Sequence, residues 1–310
     1  GLDYEPTDYV LETQFGPQKV DQKIWGIYGQ TSVPVNKNWE ISAGLRYTEV
    51  DNRISANGDS ERLDDHITLG SLALDYDAGG PWRFFVRADQ NFRFAKVDEH
   101  TNVVFGHPIG IDNQRGISYE TGVAWSRADI NLNLTAYRLD LDDEISFSSD
   151  GFTNINLDET RRLGLTAEAV WQVRPGWTLG AEYTYTDTEI TAGAFEGNRV
   201  PLVAEHNARA WTEGRIGENL TGFAEVSYLG DRVLGGDFNN DFGALDAYAV
   251  FNAAITYELQ GWRIRARVDN LFGEEYEASG AVGFNEEFAL EPAFFPAPEQ
   301  RFTLTARYDF

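Results

Sequence analysis

The sequence predicts an all-β protein, a transmembrane antiparallel β-barrel with about fourteen strands, from its alternation, its strand lengths and the rhythm of its connections. Period-two alternation recurs along the whole 310-residue chain, and no window holds a helical period for long. Predicted strands cover 7–15, 22–33, 39–50, 64–77, 82–95, 116–126, 129–146, 159–173, 177–190, 203–214, 218–229, 246–258, 262–272 and 301–310. Most are ten residues or longer. An ordinary globular strand has about five or six, whereas crossing a bilayer at a tilt takes about 9–11.

Taken in order, the first strand is short, with Tyr9, Leu11, Thr13 and Phe15 on one side. From Trp39 the alternation sharpens: Trp39, Ile41, Ala43, Leu45 and Tyr47 interleave with Glu40, Ser42, Gly44, Arg46 and Thr48. Leu163, Leu165, Ala167, Ala169 and Trp171 alternate with Arg162, Gly164, Thr166, Glu168 and Val170. The 203–214 strand has the weakest outward face, Ala204, His206, Ala208, Ala210 and Thr212. Leu220, Gly222, Ala224, Val226 and Tyr228 then alternate with Thr221, Phe223, Glu225 and Ser227. Trp262, Ile264, Ala266 and Val268 interleave with Arg263, Arg265, Arg267 and Asp269, and Phe302, Leu304, Ala306, Tyr308 and Phe310 close the chain.

In these clear strands the apolar face carries no charge, and every charged residue falls on the other face. A soluble sandwich also alternates, so alternation alone does not separate lipid from a protein core. The connections separate them. Short ones fall at 34–38, 78–81, 126–128, 174–176, 215–217 and 259–261; long ones fall at 51–63, 96–115, 147–158, 191–202, 230–245 and 273–300. Short turns on one rim and long loops on the other describe a barrel of the bacterial outer membrane. Trp39, Trp82, Trp125, Trp177 and Trp262 each lie within two residues of a short turn, which places them on one interfacial ring.

Fifty acidic against 25 basic residues give a formal charge of −25, which argues against nucleic acid, because binding phosphates needs a basic face. With no Cys there is no disulfide, thiolate metal site or cysteine nucleophile. Mean hydropathy is −0.40, and no run approaches the roughly 18 apolar residues of a spanning helix, so membrane crossing rests on strands.

The segment Arg267-Val-Asp-Asn-Leu-Phe-Gly-Glu-Glu-Tyr276, followed by Pro298 and Arg301-Phe-Thr-Leu-Thr-Ala-Arg-Tyr-Asp-Phe310, resembles the C-terminal signature of TonB-dependent outer-membrane receptors. Phe92-Arg-Phe-Ala-Lys-Val-Asp-Glu99, Arg162-Leu-Gly-Leu-Thr-Ala-Glu168, Tyr183-Thr-Tyr-Thr-Asp187 and Gly197-Asn-Arg-Val-Pro-Leu202 fit the same family. The resemblance implies uptake of a scarce solute such as an iron–siderophore chelate, haem or a cobalamin-like cofactor, energised by a TonB-type coupling protein through a plug. It also implies a 22-stranded barrel, of which residues 1–310 would supply about fourteen strands and no plug.

For the substrate, lumen-facing positions toward the long-loop rim are the candidates: Asn91, Arg93, Glu120, Tyr137 and Arg162. Arg263, Arg265 and Arg267 line one lumen face, with Glu168, Glu182 and Glu225 as candidate partners; solvated lumen charge and plug or anionic-chelate contact are both open readings. His100 and His107 share a long loop at a spacing that could present imidazole to haem iron, or are two solvated histidines; no Met or Cys offers a second soft ligand. Asp237, Asn239 and Asp241 alternate as in a calcium loop, but Phe242 and Tyr248 stand where an EF-hand needs Gly and Glu; these and Asp140, Asp142, Asp143 and Glu144 read as hydrated loop carboxylates. No metal site and no bound cofactor are assigned. His66 and His206 are the strand histidines, and neither has a hydroxyl partner evident in sequence, so no catalysis is expected.

The expected surroundings are outer-membrane lipid and lipopolysaccharide. Two rival readings stay open: a standalone passive pore, and a soluble all-β binding protein.

Overall fold

The computed structural model describes residues 1–13, 16–56, 58–100 and 110–309. Its strands are β1 (Leu2–Thr13), β2 (Gly16–Pro34), β3 (Trp39–Ala56), β4 (Asp59–Asp77), β5 (Trp82–Arg93), β6 (Gln114–Arg127), β7 (Ile130–Ser148), β8 (Thr153–Arg174), β9 (Trp177–Ala192), β10 (His206–Arg215), β11 (Leu220–Leu229), β12 (Arg232–Val233), β13 (Ala244–Leu245), β14 (Tyr248–Leu259), β15 (Trp262–Asp269), β16 (Glu277–Phe284), β17 (Leu290–Pro296) and β18 (Arg301–Tyr308). Fourteen of them form one antiparallel sheet in the order β1-β2-β3-β4-β5-β6-β7-β8-β9-β10-β11-β14-β15-β18. Each wall strand pairs with its nearest wall neighbours in sequence, so the wall is an up-and-down meander.

The face that alternation marks as apolar is exposed. Leu45 is 64% accessible, Leu72 58%, Ile255 51% and Leu304 75%. No second layer among the described residues covers these side chains, which is the arrangement of a wall facing hydrocarbon and not of a sandwich core. Three buried apolar clusters form among the described residues, built around Val50 with Phe94, Leu157 with Phe238, and Leu234 with Val282. Each lies toward the long-loop end, where inward side chains of the strands meet the loops.

All six predicted short connections are present, at 35–38, 78–81, 128–129, 175–176, 216–219 and 260–261. Pro175 and Gly176 illustrate the chemistry: proline presets the first central position, and glycine at φ 76° supplies the left-handed second one. The predicted indole ring forms on this rim. Trp39 stacks 4.4 Å from Tyr76, which continues through Phe84 and Trp82 to Trp125 in steps of 6.3 Å. Trp262 lies 5.0 Å from Tyr308, and the Trp177 indole N–H donates to Thr212 Oγ1 at 3.0 Å. Trp171, 45% exposed and paired with Ile130, joins the same rim although the sequence reading did not include it.

The long connections differ more. Residues 51–63 and 147–158, expected as loops, are largely strand: the β3–β4 ladder runs to Ala56↔Asp59 and the β7–β8 ladder to Ser148↔Thr153. Beyond the bilayer the outward face meets water, so the apolar alternation stops while backbone pairing continues. The first strand likewise starts at Leu2 and is not short, and Phe15 lies outside the described residues, as does Phe310. The weak strand begins at His206, leaving Ala204 in the preceding loop. Two small sheets, β12–β13 and β16–β17, were not anticipated; Pro292 and Pro296 sit in β17, where an edge strand tolerates proline.

The wall predicts opposite outcomes for two adjacent residues of β7. Leu134, 42% exposed, faces outward, and Leu134→Arg should destabilise the folded wall by about 2–4 kcal/mol. Thr135 lines an inward cavity beside Glu120 and Glu168, and Thr135→Arg should change stability by less than about 0.5 kcal/mol. Urea-dependent folding into lipid vesicles measures both.

Candidate functional site

The predicted substrate residues separate into two levels. At the upper level the Arg93 guanidinium donates to both oxygens of Glu99, at 2.5 and 3.0 Å, and Arg162 does the same to Glu144, at 2.6 and 3.0 Å. The Asn91 amide donates to the Asp89 carbonyl at 3.3 Å. At the middle level Glu120 stands opposite Arg87 and Tyr137 in register and shares a cavity of about 250 Å³ with Tyr137, Asn133 and Glu168. The Tyr137 ring lies over Gly164, whose backbone leaves no room for a Cβ, and its hydroxyl is 2.7 Å from Thr186 Oγ1. Glu120, Tyr137 and Glu168 are thus brought together; Arg93 and Arg162 are spent on their own carboxylates.

The lumen charges pair differently from the sequence expectation. Arg209 of β10, which the sequence reading missed, stands between β9 and β11 and binds Glu225 at 2.5 and 2.7 Å and Glu182 at 3.4 Å. Glu225 also accepts from the Asn252 amide at 3.0 Å, and Glu168 accepts from Asn133 at 3.2 Å. Arg263 pairs with Glu258 across the β14–β15 hairpin and Arg267 with Asp269, each at 2.5 Å. Arg265 makes no ion pair among the described residues. The closest ion pairs are thus between nearest neighbours, because β10 separates β9 from β11 and contributes its own cation; of the expected partnerships between the Arg263–Arg265–Arg267 row and Glu168, Glu182 and Glu225, the attraction of Arg267 for Glu225 is present.

A cavity of about 1020 Å³ lies above these levels, between the extensions of β3 and β4, the segment before β6 and the β7–β8 tip. Its walls carry Asp64, Asp65, Glu99, Asp112, Asp142 and Asp143 against Arg62 and Arg115. Asparagines brace it: Asn113 donates to Asp65 at 3.0 Å, and the Asn156 amide donates to the carbonyls of Asp112 and Asp143 at 3.0 and 2.9 Å. Burial alone would raise the Asp65 carboxyl, but hydrogen bonds from Asn113, Arg115 and the His66 N–H hold it below the usual carboxylate value. Asp143 is pushed up, first by burial and then by Asp112, Asp142 and Asp158.

The other sequence candidates resolve as follows. His100 is not solvated: it is 2% exposed, lines the large cavity, and neither ring nitrogen has a hydrogen-bond partner. Burial lowers its pKa, opposed by the Ala95 backbone. His107 lies outside the described residues. Asp237 is buried, not hydrated, and caps the N–H groups of Asp241 and Phe242 at 2.9 Å. His206 does have a hydroxyl partner, Tyr183 at 2.8 Å, on the outward face. No group of three or more His, Asp or Glu among the described residues is placed to hold a metal ion.

Comparison with known proteins places this geometry. The family model described as TonB dependent receptor-like, beta-barrel matches residues 1–271. The pesticin receptor of Yersinia enterocolitica is 24% identical over 275 residues, covering 82% of this chain and 39% of that receptor. A probable TonB-dependent siderophore receptor, PiuA, of Acinetobacter baumannii is 25% identical over 181 residues, covering 54% of this chain and 24% of that protein. The chain superposes on the ferric yersiniabactin uptake receptor FyuA from Yersinia pestis with TM-score 0.78 at 21% identity, covering all of this chain and 50% of that one. With the solved PiuA the TM-score is 0.77 at 16% identity, covering 94% and 44%. The chain thus spans half or less of the length of these proteins.

The raised Asp143 carboxyl yields a pH prediction. A carboxyl whose folded pKa exceeds its unfolded value holds its proton more tightly when folded, so its contribution is complete below about pH 3.9 and is lost as pH rises through the folded value. Asp143 also adopts a left-handed φ of 55°, which asparagine tolerates well. Asp143→Asn should therefore slow amide hydrogen exchange at the β7–β8 tip at neutral pH, and the gain should vanish near pH 3.

Proposed function

The chain belongs to the TonB-dependent receptor-like β-barrel family, and on that premise we propose that it forms the wall and outer binding cavity of an active importer in the bacterial outer membrane. The observation that carries this reading is a cavity of about 1020 Å³, braced by asparagines and placed at the long-loop end of a wall whose other face is apolar and exposed. That volume takes a metal chelate of siderophore size, and loops held on a rigid wall are where a ligand is captured. The family is one of transport receptors and not enzymes, which agrees with the absence of an expected reaction.

In this reading the apolar face contacts outer-membrane lipid, and the extensions of β3, β4, β7 and β8 stand among lipopolysaccharide. Asn91, Arg93 and Arg162 shape the floor of the cavity, and Glu120 and Tyr137 line the passage below it. Arg265, with the ladder of Glu168, Glu182, Arg209 and Glu225, faces a luminal plug through which a TonB-type protein delivers work. Hydrated pairs of this kind are weak, of order 0–1 kcal/mol each, which suits contacts remade in every transport cycle.

Uptake of radiolabelled iron chelates by iron-starved cells tests the proposal. Cells carrying the full natural gene should accumulate iron and stop when a protonophore collapses the inner-membrane gradient. Accumulation that persists without the gradient, or steady single-channel conductance of the purified protein, would identify a passive pore instead.

A further inference from the structure

The two cations of the outer cavity are already matched. Arg62 binds Asp64 at 3.0 Å and Asp51 at 2.9 Å, and Arg115 binds Asp65 at 2.9 Å. Glu99 is held by Arg93. Three carboxylates on the same walls, Asp112, Asp142 and Asp143, make no ion pair among the described residues. Asp112 and Asp142 both disfavour ionisation of Asp143, and Arg115 offsets them only in part.

A set of carboxylates alone is ordinary surface. Here it shares a cavity with His100, which is 2% exposed and whose ring nitrogens make no well-aligned hydrogen bond, although the Ala95 backbone lies close enough to favour its protonated form. A buried imidazole this poorly partnered is a costly arrangement that a ligand group entering the cavity relieves. Burial disfavours positive charge on that imidazole, with the Ala95 backbone opposing it in part; in its neutral form the ring has one donor and one acceptor.

The size of the complementary ligand follows from the spacing. The acidic groups do not converge as a metal coordination sphere would require, and they are distributed around about 1020 Å³. A bare divalent ion would meet too few of them. A bulky ligand with its own positive charge reaches several at once.

We propose that the outer cavity selects a positively charged metal chelate, one carrying an ammonium or similar organic cation that docks against Asp112, Asp142 and Asp143 while its neutral metal-binding groups reach His100. The inference rests on the transport reading above and narrows its substrate class, excluding the polyanionic chelates that an arginine-lined site would take. Electrostatic complementarity sets which partner is admitted more than how tightly it is finally held.

The test uses outer-membrane vesicles containing the full natural chain and three ferric probes: a linear trihydroxamate chelate with a free terminal ammonium, the same chelate N-acetylated to neutrality, and a trianionic tricatecholate chelate. The ammonium form should bind roughly tenfold more tightly than its acetylated twin, the size of one charge-assisted contact. The difference should shrink with added salt. It should disappear in the double variant Asp112→Asn with Asp142→Asn, which retains binding of the acetylated form and so reports a folded protein. His100→Phe should weaken both hydroxamate forms equally, and His100→Gln should restore part of that loss. Equal affinity for the two hydroxamates, or tightest binding of the tricatecholate, overturns the charge selection. Because gradient-dependent uptake is measured separately, the transport reading can survive that result or fail independently of it.

Discussion

Everything in this structure depends on the requirement that no backbone N–H or C=O be left without a partner in hydrocarbon, where each orphan costs several kcal/mol. An antiparallel meander meets the requirement between neighbouring strands, and the ladders from β1 to β18 do so in unbroken register apart from two irregularities in β8–β9. Once the backbone is fixed in that way, side chains can point only outward or inward. The alternation of apolar and polar residues is then a division of two solvents, lipid and water, and not the signature of a packed core. This is why the buried apolar clusters occupy the long-loop end alone: there, loops return over inward side chains and a dry interior becomes available.

The same division explains the lumen. Charges excluded from the lipid face accumulate inside, and they settle with whichever opposite charge the register sets beside them. Arg209 illustrates the rule, because the strand that carries it lies between those of Glu182 and Glu225. Asp269 is a second case, shared by Arg267 on its own strand and Arg301 across the ladder. Such pairs follow from geometry of adjacent strands and say little about stability, since hydrated pairs contribute weakly.

What could be read from sequence follows the reach of each physical signal. Trp39 to Tyr47 and Trp262 to Val268 show their faces because lipid imposes a local, period-two rule, and Pro175-Gly176 shows its turn because the required φ belongs to that residue. The extensions of β3–β4 and β7–β8 were hidden for the converse reason, since water imposes no outward apolar rule on Asp51, Asn52 or Asn154. The outer cavity was hidden more deeply. It assembles Asp65, Asp112 and Asp143 from three separate segments, held by Asn113 and Asn156 through contacts 13 to 48 residues apart. The clustered Asp142-Asp143 and the loop residue His100 were visible as unusual, but burial of the imidazole and the placing of the acids around one cavity are tertiary facts. Arg209 likewise gave no sign, because its role depends on which strands flank its own.

Taken together, the two levels of charge imply a direction. In the outer cavity Asp112, Asp142 and Asp143 make no ion pair among the described residues, although Arg115 stands opposite Asp142 and favours ionisation of Asp143; lower in the lumen Glu182 and Glu225 share Arg209, Glu258 holds Arg263, Asp269 holds Arg267 and Arg301, and Glu168 is held by Asn133. On the transport reading proposed above, a cation captured there would gain less from the arginine-paired carboxylates below, and Arg265 would oppose it, while Glu120 and Glu168 would still attract it. A passive pore built this way would retain its preferred solute at the entrance, while a wall coupled to an external source of work could release it inward by disrupting the few hydrogen bonds that brace the cavity.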